Sequence, residues 1–137
     1  MIIRVKITRP ENRNYFDVTD GEIVHVDLDD YAAGVLAGEV YASWPAETLK
    51  AQAVAARSFG VAKARQRMNQ TYDVDDTSSY QAFKPYNIRK EYTQAAMETA
   101  GEILVYDGEV ALVKYCASNG GRTVSGSKPY LPEQDDP

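Results

Sequence analysis

The chain has 137 residues, 44% of them hydrophobic and 26% charged, the make-up of one ordinary globular domain. Twenty acids against 15 Lys plus Arg give a formal charge of −5, which argues against a broad nucleic-acid footprint or an anionic-membrane patch, since both need surplus basic charge. One Cys and one His exclude an internal disulfide and a structural zinc site of the usual ligand count, and no run approaches the roughly 20 apolar residues of a membrane span.

Met1 to Pro10 hold no long apolar stretch, so no secretory leader is expected there. Ile2 to Ile7 alternate and predict a strand. Asp20-Gly21 is a turn signal, and Ile23 to Leu28 follow as a second strand with Val24, Val26 and Leu28 on one face. Asp27 fits a helix N-cap, with Asp29 and Asp30 in the positive first turn, and Tyr31, Val35 and Leu36 form an apolar stripe. A helix is expected over about 28–39. Its Gly34 and Gly38 cost propensity and allow another backbone to approach.

Pro45 suits the start of the next helix, which runs without proline from Ala46 to Met68. Its middle, around Ala51 to Ala56, is apolar nearly all round, the pattern of a buried helix. Tyr72 to Asn87 is polar and turn-rich and reads mostly as loop. A further helix is expected over about 88–100, ended by Gly101. Ile103 to Tyr106, the Asp107-Gly108 turn and Glu109 to Ser118 read as a hairpin. Helices grouped between strand pairs predict an α+β fold with a largely antiparallel sheet and about three helices.

Two residues interrupt the buried helix with full positive charge, Lys50 and Arg57. They are seven apart, so at 3.6 residues per turn they point the same way. A buried cation is costly unless paired. The pair therefore implies either an internal ion-pair network, with Glu39 as one available carboxylate, or an anionic ligand.

The run Asp29-Asp30-Tyr31-Ala32-Ala33-Gly34-Val35-Leu36-Ala37-Gly38-Glu39-Val40, continued by Ser43 to Phe59, resembles the signature of the stage II sporulation protein D family, which includes the amidase enhancers. Thr99 to Leu104 with Tyr115-Cys116-Ala117-Ser118-Asn119-Gly120-Gly121, and then Pro129-Tyr130-Leu131, resemble its second and third blocks. The resemblance implies one domain over 1–137, shorter than is usual in the family. It implies a peptidoglycan lytic transglycosylase acting on glycan strands already stripped of stem peptides, in the cell wall or extracytoplasmic space.

In that reading Glu39 is the catalytic acid and base, and Lys50 and Arg57 are substrate-binding residues; Lys50 or Arg57 is then expected to bind the free lactyl carboxylate of a stripped muramic acid. Tyr80 and Gln81 resemble cleft residues. Ser118, Asn119 and Gly120 either contact sugar or form a plain turn. A cell-wall amidase is the implied partner, and the alternative is a non-catalytic glycan-binding module that stimulates such an amidase.

Members of the family often hold zinc on His and Cys in the middle loop. Here Ser79 and Tyr80 stand in those places, so no metal or other cofactor is expected. Asp73, Asp75 and Asp76 read better as a solvated acidic loop than as a cation site, because the loop lacks the glycine and terminal glutamate of an EF-hand. His25 reads as a strand-face residue and Cys116 as a small packing residue.

Overall fold

A computed structural model describes residues 1–106 and 109–110. Strand β1 (Ile2–Lys6) is central in a three-stranded sheet, with β2 (Ile23–Asp27) antiparallel on one side and the short β3 (Val74–Asp75) parallel on the other. The sheet is thus mixed rather than purely antiparallel. Its third strand arises inside the segment expected to be loop. The parallel partner is only two residues long, too short for periodicity to reveal.

Among the described residues four α-helices join this sheet in an α+β fold: α1 (Pro10–Phe16), α2 (Leu28–Glu39), α3 (Ala46–Gln66) and α4 (Lys90–Glu98). A 3-10 turn, Pro85–Asn87, lies before α4. Asp27 caps α2 as expected, its side chain accepting from the Asp29 N–H at 3.0 Å. Gly101 takes the left-handed conformation after α4. The short pair β4 (Val105–Tyr106) and β5 (Glu109–Val110) is antiparallel.

Ile3 and Val5 on β1 and Ile7 just after it pack against Tyr31 and Val35 of α2, Phe59 of α3 and Phe83 of the long loop. A second cluster joins Leu36 of α2, Leu49 and Ala53 of α3 and Tyr92 and Ala96 of α4. The small side chains on α3 let both neighbouring helices approach closely, which explains the alanine-rich middle. No helix among the described residues is long and apolar enough to cross a membrane.

Helix α1 carries no apolar stripe strong enough to be read from sequence. Asp76 anchors it instead. This fully buried carboxylate accepts from the Thr8 and Arg9 N–H groups, the Thr8 hydroxyl and Asn12 Nδ2, at 2.7–3.1 Å. Asn12 Nδ2 also donates to Phe83 O at 2.9 Å, so the loop and α1 are tied together. Burial opposes the charge on Asp76, but hydrogen bonds led by the Arg9 N–H outweigh it and hold the carboxyl below its ordinary range.

A lowered carboxyl pKa contributes stability above the unfolded value near 4, and that contribution is lost as pH falls through the lower folded value. Asp76→Asn is therefore expected to cost about 2 kcal/mol at pH 7. The gap to wild type should narrow below about pH 3, as urea titrations at the two pH values would register.

Candidate active site

Gly34 and Gly38 lie four apart on α2 and so share one face. The segment 80–84 crosses that face in close contact. The Lys84 N–H donates to Gly34 O at 3.0 Å, and the Phe83 ring occupies the space that a side chain on Gly34 would need. A Cβ on Gly38 would stand 2.9 Å from Ala82 O and 3.0 Å from its carbonyl carbon. The crossing brings the Ala82 N–H to Glu39 Oε2 at 3.0 Å. The carboxylate at the last residue of α2 is thereby fixed in direction.

The Ala82 N–H thus meets this carboxylate at the C-terminal end of α2.

Half-buried Glu39 lines a groove of about 550 Å³ together with Tyr41, Trp44, Lys84, Asn87 and Arg89. Tyr41 is 73% exposed and meets the Trp44 ring edge-on, with centroids 6.3 Å apart. Flat apolar faces with polar edges suit the face of a sugar ring. The Tyr92 hydroxyl donates to Val40 O at 2.7 Å, which fixes the chain where it leaves α2.

Lys50 and Arg57 are not brought into this groove. Both do point the same way, as their spacing requires, but toward α4. Lys50 Nζ pairs with Glu47 at 2.9 Å and Glu98 at 3.4 Å, and the hydrogen bond it donates to Glu47 leads in holding it above its ordinary range. Arg57 is fully buried. Its Nε donates to Asp29 Oδ1 at 2.8 Å, and its terminal nitrogens donate to Ala96 O and Glu102 O, each at 2.9 Å. Thr99 Oγ1 lies 3.4 Å from both. A guanidinium with every nitrogen satisfied internally and no exposed surface cannot grip a carboxylate outside. The internal network, with Asp29 in place of Glu39, describes Arg57.

Gln81 is also sealed inside, its Nε2 donating to Tyr31 Oη at 3.3 Å and to Ala56 O at 3.4 Å. It anchors the crossing segment rather than facing the groove. Tyr80 is half-buried against Phe59, with Lys63 over its ring. His25 is exposed on its strand, as expected. Ser118, Asn119, Gly120 and Cys116 lie outside the described residues, as does the Asp107-Gly108 turn.

The three acids of the loop are not a solvated patch. Asp73 receives Arg4 Nη2 at 2.6 Å, Asp75 receives the Thr77 hydroxyl at 2.6 Å, and Asp76 holds α1. Each carboxylate is turned to a protein donor. Among the described residues no three His, Cys, Asp or Glu side chains converge as a metal site would need, and the Ser79-Tyr80 hydroxyls are poor zinc ligands.

The groove residues Lys84, Asn87, Arg89 and Tyr41 are absent from the sequence reading. Single cations in turn-rich segments carry no periodic signal. Only the fold reveals that Lys84 and Arg89 flank the same groove as Glu39.

An α+β domain with one acidic side chain set at a helix end, over a groove with an aromatic lip, is the class that this geometry defines. A family model described as Stage II sporulation protein matches residues 17–106, a span that contains all the groove residues among those described. The chain belongs to that family. It is 37% identical over 114 residues to an uncharacterised protein of Brachyspira hyodysenteriae, covering 77% of this chain and 31% of that protein. It is 36% identical over 104 residues to the amidase enhancer of Bacillus subtilis, covering 72% of this chain and 14% of the other. With the stage II sporulation protein D of Bacillus amyloliquefaciens it shares 29% identity over 124 residues, 79% of this chain and 36% of that one. The chain thus matches between 14% and 36% of the length of these relatives.

Two stability measurements test the architecture. Gly38→Ala gains about 1 kcal/mol of helix propensity but forces a backbone apart, and is expected to lose about 1–3 kcal/mol net, read by thermal melting. Arg57→Met strands Asp29 and two carbonyls and is expected to cost about 3–5 kcal/mol in urea unfolding.

Proposed function

We propose that this domain is a peptidoglycan lytic transglycosylase acting on peptide-stripped glycan strands, with Glu39 as its single acid and base. The placement of Glu39 supports this reading above all: it lines the groove and its carboxylate is oriented by a backbone N–H. Membership of the Stage II sporulation protein family gives the cell-wall setting.

An ordinary glycosidase needs two carboxyl groups, one acid and one nucleophile or base. A lytic transglycosylase can work with one, because the substrate supplies the nucleophile. Protonated Glu39 gives its proton to the oxygen joining C1 of N-acetylmuramic acid to the next N-acetylglucosamine. The C1–O bond breaks and the glucosamine leaves as an alcohol. The C6 hydroxyl of the muramic acid then bonds to C1, and Glu39, now a carboxylate, takes its proton. The products are an alcohol end and a 1,6-anhydro end. Glu39 is restored and no water is consumed.

Trp44 and Tyr41 offer stacking faces for the sugars. Lys50 and Arg57 belong to the scaffold. Ser118, Asn119 and Gly120 are assigned to sugar contact by resemblance alone. In this reading the protein works outside the cytoplasm on glycan strands that an amidase has prepared.

The name of the Bacillus subtilis relative favours a second reading, a glycan-binding module that recruits or stimulates an N-acetylmuramoyl-L-alanine amidase without cutting the strand. The same groove would then hold glycan with Glu39 as a hydrogen-bonding partner.

Incubation with peptide-stripped glycan followed by mass spectrometry separates the two. The first reading expects 1,6-anhydro ends with wild type and a loss of at least about 100-fold in Glu39→Gln, the size of a missing general acid. Binding without anhydro products, together with a faster added amidase, would select the module.

A further inference from the structure

The aromatic lip of the groove is a single turn. Val40 follows α2 in an extended conformation, φ −136° and ψ 169°, so the chain leaves the helix abruptly. Tyr41 to Trp44 then close a turn, the Trp44 N–H donating to Tyr41 O at 3.1 Å, and α3 begins at Ala46. The two lip rings thus stand at the first and last positions of one four-residue turn. Tyr41 and Ser43 are exposed, and only Ala42 and Trp44 of the turn lean on the core. That inner side rests on Tyr92. It stands in the first turn of α4 and shares a cluster with Val40, Ala42 and Trp44. At 4% exposure it offers almost no surface to a ligand. Its hydroxyl donates to Val40 O at 2.7 Å. A carbonyl at a helix C-terminus has no partner inside the helix, and Val40 is buried, so this hydroxyl supplies the bond that water cannot.

We infer that Tyr92 is a positioning residue for glycan binding: its hydroxyl sets the Tyr41–Trp44 lip at the rim of the groove, and the affinity for sugar depends on it although the lip meets the sugar. This rests on the glycan reading above but not on catalysis. Glu39 is held by other means. The α2 ladder continues past it, with the Val40 N–H donating to Leu36 O at 3.0 Å, and its carboxylate accepts from the Ala82 N–H. Loss of the Tyr92 hydroxyl therefore weakens binding and spares the acid.

Tyr92→Phe keeps the packed ring and removes only the hydroxyl. Trp44 is the one tryptophan of the chain, so its emission reports on the lip in ligand-free protein. In Tyr92→Phe that emission is expected to move to the red and to become more open to acrylamide quenching. Calorimetry with a peptide-stripped muramyl tetrasaccharide should show an affinity about tenfold lower, the scale of one buried hydrogen bond. Where 1,6-anhydro ends form, KM should rise by a similar factor while kcat stays within about twofold, whereas Glu39→Gln lowers kcat. Tyr41→Ala removes the outer ring of the lip, and its loss of affinity should not add to that of Tyr92→Phe. Asp73→Asn, which loosens the Arg4 pair elsewhere in the fold, is the control for lost stability and should match wild type in Trp44 emission and in affinity.

Unchanged Trp44 emission or unchanged affinity in Tyr92→Phe, losses that add with Tyr41→Ala, or equal losses in Asp73→Asn would overturn the assignment and leave the glycan reading standing. So would unfolding of Tyr92→Phe, which would make the hydroxyl a general support of the fold. A wild type that binds no tetrasaccharide would reject the glycan reading and this assignment together. Weaker binding with displaced emission, in a protein that forms no 1,6-anhydro ends, would uphold the assignment while rejecting the transglycosylase reading.

Discussion

The close crossing of residues 80–84 over Gly34 and Gly38 is the constraint on which the site depends. A helix end is a poor place to fix a side chain, because the last turn has neighbours on one side only and frays easily. Here the missing neighbour is supplied by an irregular segment. It can approach because two glycines leave a channel along α2, and it is kept there by the Lys84 N–H to Gly34 O bond. The donor to Glu39 is a backbone N–H in the middle of that crossing. Main chain cannot rotate away as a side-chain donor can, so the carboxylate orientation is set by the fold itself.

The crossing segment is held in turn by charges buried for structural reasons. Asp76 gathers donors from the start of α1, and Asn12 passes that restraint on to Phe83 O. Gln81 ties the neighbouring residue to α2 and α3 through Tyr31 and Ala56. On the far side of α3, Arg57 joins α2 to the end of α4 through one carboxylate and two carbonyls. These buried polar groups replace secondary structure where the chain has little of it. Each has at least one backbone partner, so it specifies a local chain path as well as a pairing of side chains.

The regular parts of this arrangement were legible in the residues. Alternation in Ile2 to Ile7 and in Ile23 to Leu28, the Asp27 cap and the alanine-rich run each carry a local signal that tertiary contacts then agree with. The glycines of α2 announced a close approach, although not by what. Glu39 was identified by resemblance, and Arg57 was correctly read as a cation needing a partner. Its partner was misassigned because spacing along one helix gives direction but not which acid of another helix lies opposite. Glu39 and Asp29 are ten residues apart on α2, at opposite ends of the helix. Helix α1, strand β3 and the cations of the groove were not legible. Their placement rests on contacts between residues more than forty positions apart, such as Asp76 with Thr8 and Glu39 with Ala82.

Net charge and local charge point in opposite directions in this molecule, and the local term decides what the groove can hold. An overall charge of −5 would repel an anionic ligand, but at physiological salt that repulsion fades within about 8 Å. Inside the groove the distances are shorter and the walls exclude part of the water, so single side chains outweigh the distant majority. Arg4 and Arg57 are neutralised by acids within the framework. Among the described residues, Lys84 and Arg89 stand on the groove wall that also carries Asn87, so the field a ligand meets there is set by them and by Glu39 rather than by the net charge.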